Sequence, residues 1–89
     1  MISALRLTIA SGGTGTAQWG RVTYAVTDWR KDAGAYKCVI TPDGFSPSIL
    51  RIEPAAGIMW CDAVAFRLLD WRVNGREATA RTDDGGAGR

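Results

Sequence analysis

At 89 residues, with 11 Lys+Arg against 9 Asp+Glu and no His, the chain has room for a single small domain and lacks the side chain that most often acts as a base near neutral pH or ligates a metal. A hydrophobic share of 46% and a charged share of 22% match an ordinary globular chain and exclude a disordered one. A net charge of +2 and a pI of 8.8 fall short of the strongly basic balance of a dedicated nucleic-acid binder.

The first residues, Met1-Ile2-Ser3-Ala4-Leu5-Arg6, alternate polar with apolar and form neither the apolar core nor the basic flank of a signal peptide. The longest apolar stretch is interrupted by Asp62, Arg67 and Asp70, so no membrane span is expected. The expectation is an intracellular, cytoplasmic chain, with a virion location compatible. Leu5, Leu7 and Ile9 alternate with Arg6 and Thr8 as in a half-buried strand, and Ser11 to Thr16 is a Gly-rich break. Trp19 to Arg30 reads as the clearest strand, rich in β-branched and aromatic residues. Asp32-Ala33-Gly34 is a turn, Tyr36 to Thr41 a strand, Pro42-Asp43-Gly44 a second turn, and Ile49 to Glu53 a further strand. Ile58 to Val73 is ambiguous. Five of positions 60, 63, 64, 67, 68 and 71 are apolar at helical spacing, yet the charged residues scatter around the wheel and leave no polar face.

An internal repeat decides between these readings. Val22 to Arg30 aligns without gaps on Val64 to Arg72, sharing Asp-Trp-Arg at the end. Leu5-Arg6-Leu7 parallels Leu50-Arg51-Ile52, Gly12 parallels Gly57, Trp19 parallels Trp60, and Thr41-Pro42-Asp43-Gly44 parallels Thr82-Asp83-Asp84-Gly85. The second half therefore inherits the strand reading, with Asn74-Gly75 as a two-residue hairpin turn. The expected fold is all-β: two pseudo-symmetric three-stranded meanders, residues 3–44 and 48–85, packed as a six-stranded barrel or sandwich, with 86–89 a frayed tail. The alternative is an α+β domain in which 58–72 is helical.

Strict alternation from Val22 places Asp28 and Arg30 on the core face and Trp29 on the outer one. Trp29, Arg30 and Asp28, with Trp71, Arg72 and Asp70, are then the candidate partner-binding residues, since exposed Trp and Arg are the types that dominate interface energetics. A bulge near the strand end would instead return each Trp to the core. Cys38 and Cys61 have neither CxxC spacing nor a His, so buried thiols are expected, with no catalytic residue, no metal and no cofactor. The loop Ser11 to Thr16 matches no phosphate-binding motif. Asp32-Ala33-Gly34-Ala35-Tyr36-Lys37-Cys38 resembles the Asp-x-Gly-x-Tyr-x-Cys corner of immunoglobulin domains, but the other Cys follows it instead of preceding it, so it implies no such function.

These features point to a non-enzymatic β module acting by protein–protein contact: an accessory structural subunit, or an adaptor or inhibitor docked on a larger complex, of a kind that viruses and mobile elements encode. Self-association is a form of the same expectation. No membrane and no small-molecule substrate is expected. The alternative is single-stranded nucleic-acid binding, with Trp29, Tyr24, Trp71 and Phe66 as stacking platforms and Arg30, Arg72 and Arg76 on phosphates.

Overall fold

The computed structural model describes residues 1–83. Eight antiparallel strands follow one another: β1 (Ile2–Ile9), β2 (Gly15–Trp19), β3 (Val22–Asp32), β4 (Ala35–Pro42), β5 (Ser48–Glu53), β6 (Ile58–Cys61), β7 (Val64–Asn74) and β8 (Glu77–Asp83). Each pairs with its sequence neighbours, and β8 returns to pair with β1 from Ile2↔Asp83 to Thr8↔Glu77, closing the barrel. The all-β expectation holds, but the expected six strands are eight and each meander has four. No helix is present among the described residues, and Ile58–Val73 is strand, turn and strand. The expected tail 86–89 lies outside the described residues.

The undercount has one cause. Trp19 to Arg30 is two strands, because Gly20-Arg21 makes a two-residue turn closed by Trp19↔Val22, with Gly20 at φ +62°. Asp62-Ala63 does the same between Cys61↔Val64, with Asp62 at φ +53°. The β3–β4 turn has both central residues, Ala33 and Gly34, at positive φ, as a type I′ hairpin requires. Asn74-Gly75 does mark a hairpin, shifted by one: Asn74↔Glu77 is the closing pair and Gly75-Arg76 the loop.

Eight strands leave an interior just wide enough for side chains to fill. Leu7, Leu50, Ile52 and Met59 are fully enclosed there, joined by Leu5, Ala17, Val26, Cys38, Ile40, Leu68, Ala78 and Ala80. Each large aliphatic in this set contributes about 1.5–3 kcal/mol relative to an exposed position. Thr82 is the one buried polar side chain among the described residues; its Oγ1 accepts from Trp19 Nε1 at 2.8 Å and donates to the Ser3 carbonyl at 3.5 Å.

The two halves repeat the same backbone, and the repeat corrects several parallels drawn from sequence. Trp19 and Cys61 both sit beside their turn, opposite Val22 and Val64. Trp60 therefore corresponds to Gln18, and Trp19 to Cys61. Gly57 faces Leu68 through a 2.8 Å hydrogen bond as Gly15 faces Val26, so its counterpart is Gly15 and not Gly12. Thr82 corresponds to Ile40, not Thr41. The Leu5/Leu50 parallel stands, since these residues pair with Trp19 and Cys61 respectively.

Candidate binding surfaces

The Asp-Trp-Arg segments are β-bulges. Register is lost between Thr27 and Arg30 opposite Val39 and Lys37, and again between Leu69 and Arg72 opposite Arg81 and Thr79, so Asp-Trp faces the single residue Cys38 or Ala80. Asp28 and Asp70 carry φ of +55° and +56°. Asp tolerates this left-handed conformation better than most residues because of its short polar side chain. The extra residue reverses the alternation. Trp29 and Trp71 turn inward and pack half-buried on the core, while Arg30 and Arg72 turn to solvent. Of the two readings of these segments, strict alternation with an outward Trp and inward Asp and Arg is overturned, and the bulge that returns each Trp to the core is the one found.

At this end of the barrel the Tyr36 ring lies 5.2 Å from Trp29, stacked, and 5.2 Å from Trp71, tilted. Lys31 Nζ stands 5.6 Å over the Tyr36 ring. The Gly13 carbonyl accepts from Trp29 N–H at 3.0 Å, fixing the first bulge. The second bulge is held differently, by Arg81, whose Nε donates to Asp70 Oδ2 at 2.7 Å. Beside Trp29 and Tyr36 opens a cleft of about 220 Å³, walled by Ile9, Val73 and Ala78 with Arg76 and Glu77. At the opposite mouth Trp19 packs edge-on against Phe66 at 4.9 Å and beside Tyr24 at 6.4 Å. None of these rings stands free.

The exposed Trp is Trp60. On the outer wall, register sets Arg30 opposite Lys37, Lys37 opposite Arg51 and Arg51 opposite Trp60. Three cations thus stand in one row across β3, β4 and β5, about 4.8 Å apart from strand to strand, and the row ends on an indole. Arg51 reaches Glu53 at 3.2 Å, whereas Arg30 and Lys37 have no ion-pair partner among the described residues. Trp60 is 36% and Ile49 49% exposed. They share a shallow hollow of about 470 Å³ with Lys37, Arg51, Glu53 and Asp62. Asp62 Oδ1 is engaged, accepting from Ile49 N–H at 2.9 Å.

Burial pushes the Cys38 thiol up to about 12. Burial, and then the Asp62 carboxylate, also raise Cys61. Both thiols stay protonated at neutral pH, the form that is neither nucleophile nor metal ligand, and both are free. Among the described residues no group of three or more His, Cys, Asp or Glu converges as metal ligands would. In comparisons with known proteins, the chain matches no family model, no curated protein and no solved structure.

Sequence reasoning missed Trp60 because it equated this residue with Trp19, which packs half-buried on the core, instead of with the outward Gln18. The usable signal was the phase of alternation on either side of Asp62-Ala63. A one-residue shift of register exchanges the two faces of a strand.

Proposed function

We propose that the protein is a non-enzymatic β-barrel module that works by protein–protein contact, and that the outer wall of β3 to β6 makes the contact. The observation that carries this reading is the row Arg30, Lys37, Arg51 and Trp60, with Ile49 alongside. Like charges directly opposite one another destabilise a sheet, so three in a row cost stability that an anionic partner would return. Trp and Arg are the side chains richest in binding energy at protein interfaces. Closure of the barrel leaves no strand edge for pairing with a partner, so recognition falls to side chains on the wall.

Affinity capture with the wild type and with Trp60→Ala/Arg51→Glu, compared by quantitative mass spectrometry, tests the surface. At least one protein is expected to lose about tenfold or more of its enrichment in the variant; identical captured sets would refute the assignment. Light scattering over a wide concentration range then separates the two forms of the proposal. An oligomer that the double variant dissolves identifies a structural subunit, and a monomer an adaptor or inhibitor.

A second reading, single-stranded nucleic-acid binding, draws on the same row, with Trp60 as the stacking platform and the cations on phosphates. It predicts that an oligonucleotide quenches Trp fluorescence with an affinity falling steeply as salt rises. An unchanged spectrum at low salt would remove it.

A further inference from the structure

The aromatic end of the barrel differs between the two halves in a way that shape alone defines. From Trp19 to Ile40 each residue has its counterpart 42 positions later, as Val22 and Val64, Asp28 and Asp70, and Trp29 and Trp71 show. In the first half, Tyr36 fills the space between Trp29 and Trp71, at 5.2 Å from each, and Lys31 covers its ring. The counterpart of Tyr36 is Ala78 and that of Lys31 is Val73. Both of these line the cleft of about 220 Å³. Where one half places an aromatic ring under a covering side chain, the other leaves a methyl group, an open volume, and a valine 54% exposed above it.

We infer that this cleft is a binding site for a small aromatic acid, whose ring occupies the place that Tyr36 fills in the other half and whose anionic group meets Arg76. Three observations define the guest. The volume exceeds the ~150 Å³ at which an apolar cavity accepts benzene. The walls are the Trp29 and Tyr36 rings with Ile9, Val73 and Ala78, surfaces that favour an aromatic ring in stacked or edge-on contact. Arg76, whose counterpart is Gly34, lines the cleft with no ion-pair partner among the described residues. The neighbouring acid, Glu77, already lies 3.8 Å from Arg6. A guanidinium beside an apolar slot selects a carboxylate or phosphate over an amine.

The test titrates the protein with phenylacetate, with cyclohexylacetate and benzylamine as controls, following Trp fluorescence and the line widths of the ligand signals. Phenylacetate is expected to saturate below roughly 10 mM and to bind about tenfold more tightly than either control. Arg76→Gln is expected to weaken it about tenfold. Ala78→Tyr supplies the missing ring from within and is expected to abolish binding while raising the urea midpoint. Should that variant fail to fold, Val73→Asp sets a carboxylate over the cleft from an exposed position and is expected to exclude phenylacetate from a folded protein. Equal affinity for phenylacetate and benzylamine, no saturation, or undiminished binding in folded Ala78→Tyr or Val73→Asp would overturn the site.

Discussion

The half formed by β1 to β4 and the half formed by β5 to β8 share a backbone and differ in contents. Both bend at an Asp in the left-handed conformation, turn a Trp inward after it and continue with an outward Arg. Yet the first half holds Trp19, Tyr36 and Ile40 where the second holds Cys61, Ala78 and Thr82. One interior has to be filled once, so bulk in one half must stand beside space in the other. Trp19 meets this at one mouth, packing on Phe66 and donating to Thr82. At the other mouth Tyr36 stands between the paired Trp rings, and its smaller counterpart leaves the cleft. A repeated sequence can dictate the bulge and the strand phase, but complementary packing cannot be repeated.

The largest test of this comparison is Tyr36→Ala, which gives the first half the residue of the second. It removes both ring contacts and is expected to cost about 3 kcal/mol in urea denaturation; a cost below about 1 kcal/mol would show that the Trp pair holds without it. The bulges offer the next largest effect. Asp28→Val puts a β-branched residue at positive φ and is expected to cost about 2 kcal/mol. Asp28→Gly relieves the same strain and is expected to stay within about 0.5 kcal/mol of the wild type. Asp70→Gly should fall lower by up to about 1 kcal/mol, because it also loses the exposed pair with Arg81. Equal values for the two glycine variants would mean that Arg81 does not support the second bulge.

The last effect vanishes at neutral pH and appears only in alkaline solution. The native Cys38 thiol sits at about 12 against an ordinary 9.0, so the unfolded chain releases its proton first. The contribution of this group is complete below pH about 9, and stability falls as pH rises toward 12, by at most about 1.4 kcal/mol per pH unit. Burial raises Tyr24 and Cys61 in the same direction. Cys38→Ala, which copies its counterpart Ala80, is expected to flatten the slope in alkaline urea titrations without abolishing it.

How much of this was legible follows from the same features. Alternation was enough for β1, β3, β4 and β5, since each carries a period of two with β-branched or aromatic residues, while the all-β reading of residues 58–73 needed the internal repeat. The repeated Asp-Trp-Arg disclosed the equivalence of β3 and β7. The short strands β2 and β6 were hidden by two-residue turns, Gly20-Arg21 and Asp62-Ala63, which contain no proline and are too short to read as loops. The phase of alternation changes across each: around the first turn the core-packed residues are Ala17 and Trp19, then Tyr24 and Val26, so that Trp19 and Tyr24 stand an odd five positions apart. The bulge was legible as an alternative to strict alternation, but no local propensity decides between the two. It depends on pairing with β4 and on the Gly13 carbonyl, a partner from a different hairpin. The row of Arg30, Lys37 and Arg51 was out of reach because it exists only once three strands are in register.

The closure of the barrel carries a kinetic consequence. Seven of the eight ladders join strands adjacent in sequence, and one, β1 with β8, joins the two extremes of the barrel. The seven can zip as successive hairpins with short loops, whereas the last must wait for the whole ribbon to curl, so it forms late and is the natural place for the native state to part. Parting it exposes two bare strand edges at once, the template for intermolecular pairing that the closed form lacks. The bond from Trp19 to Thr82, which spans β1 from β2 to β8, and the further contact of Thr82 with the Ser3 carbonyl lie across this seam. They act as a latch that adds to the β1–β8 ladder in holding the seam shut.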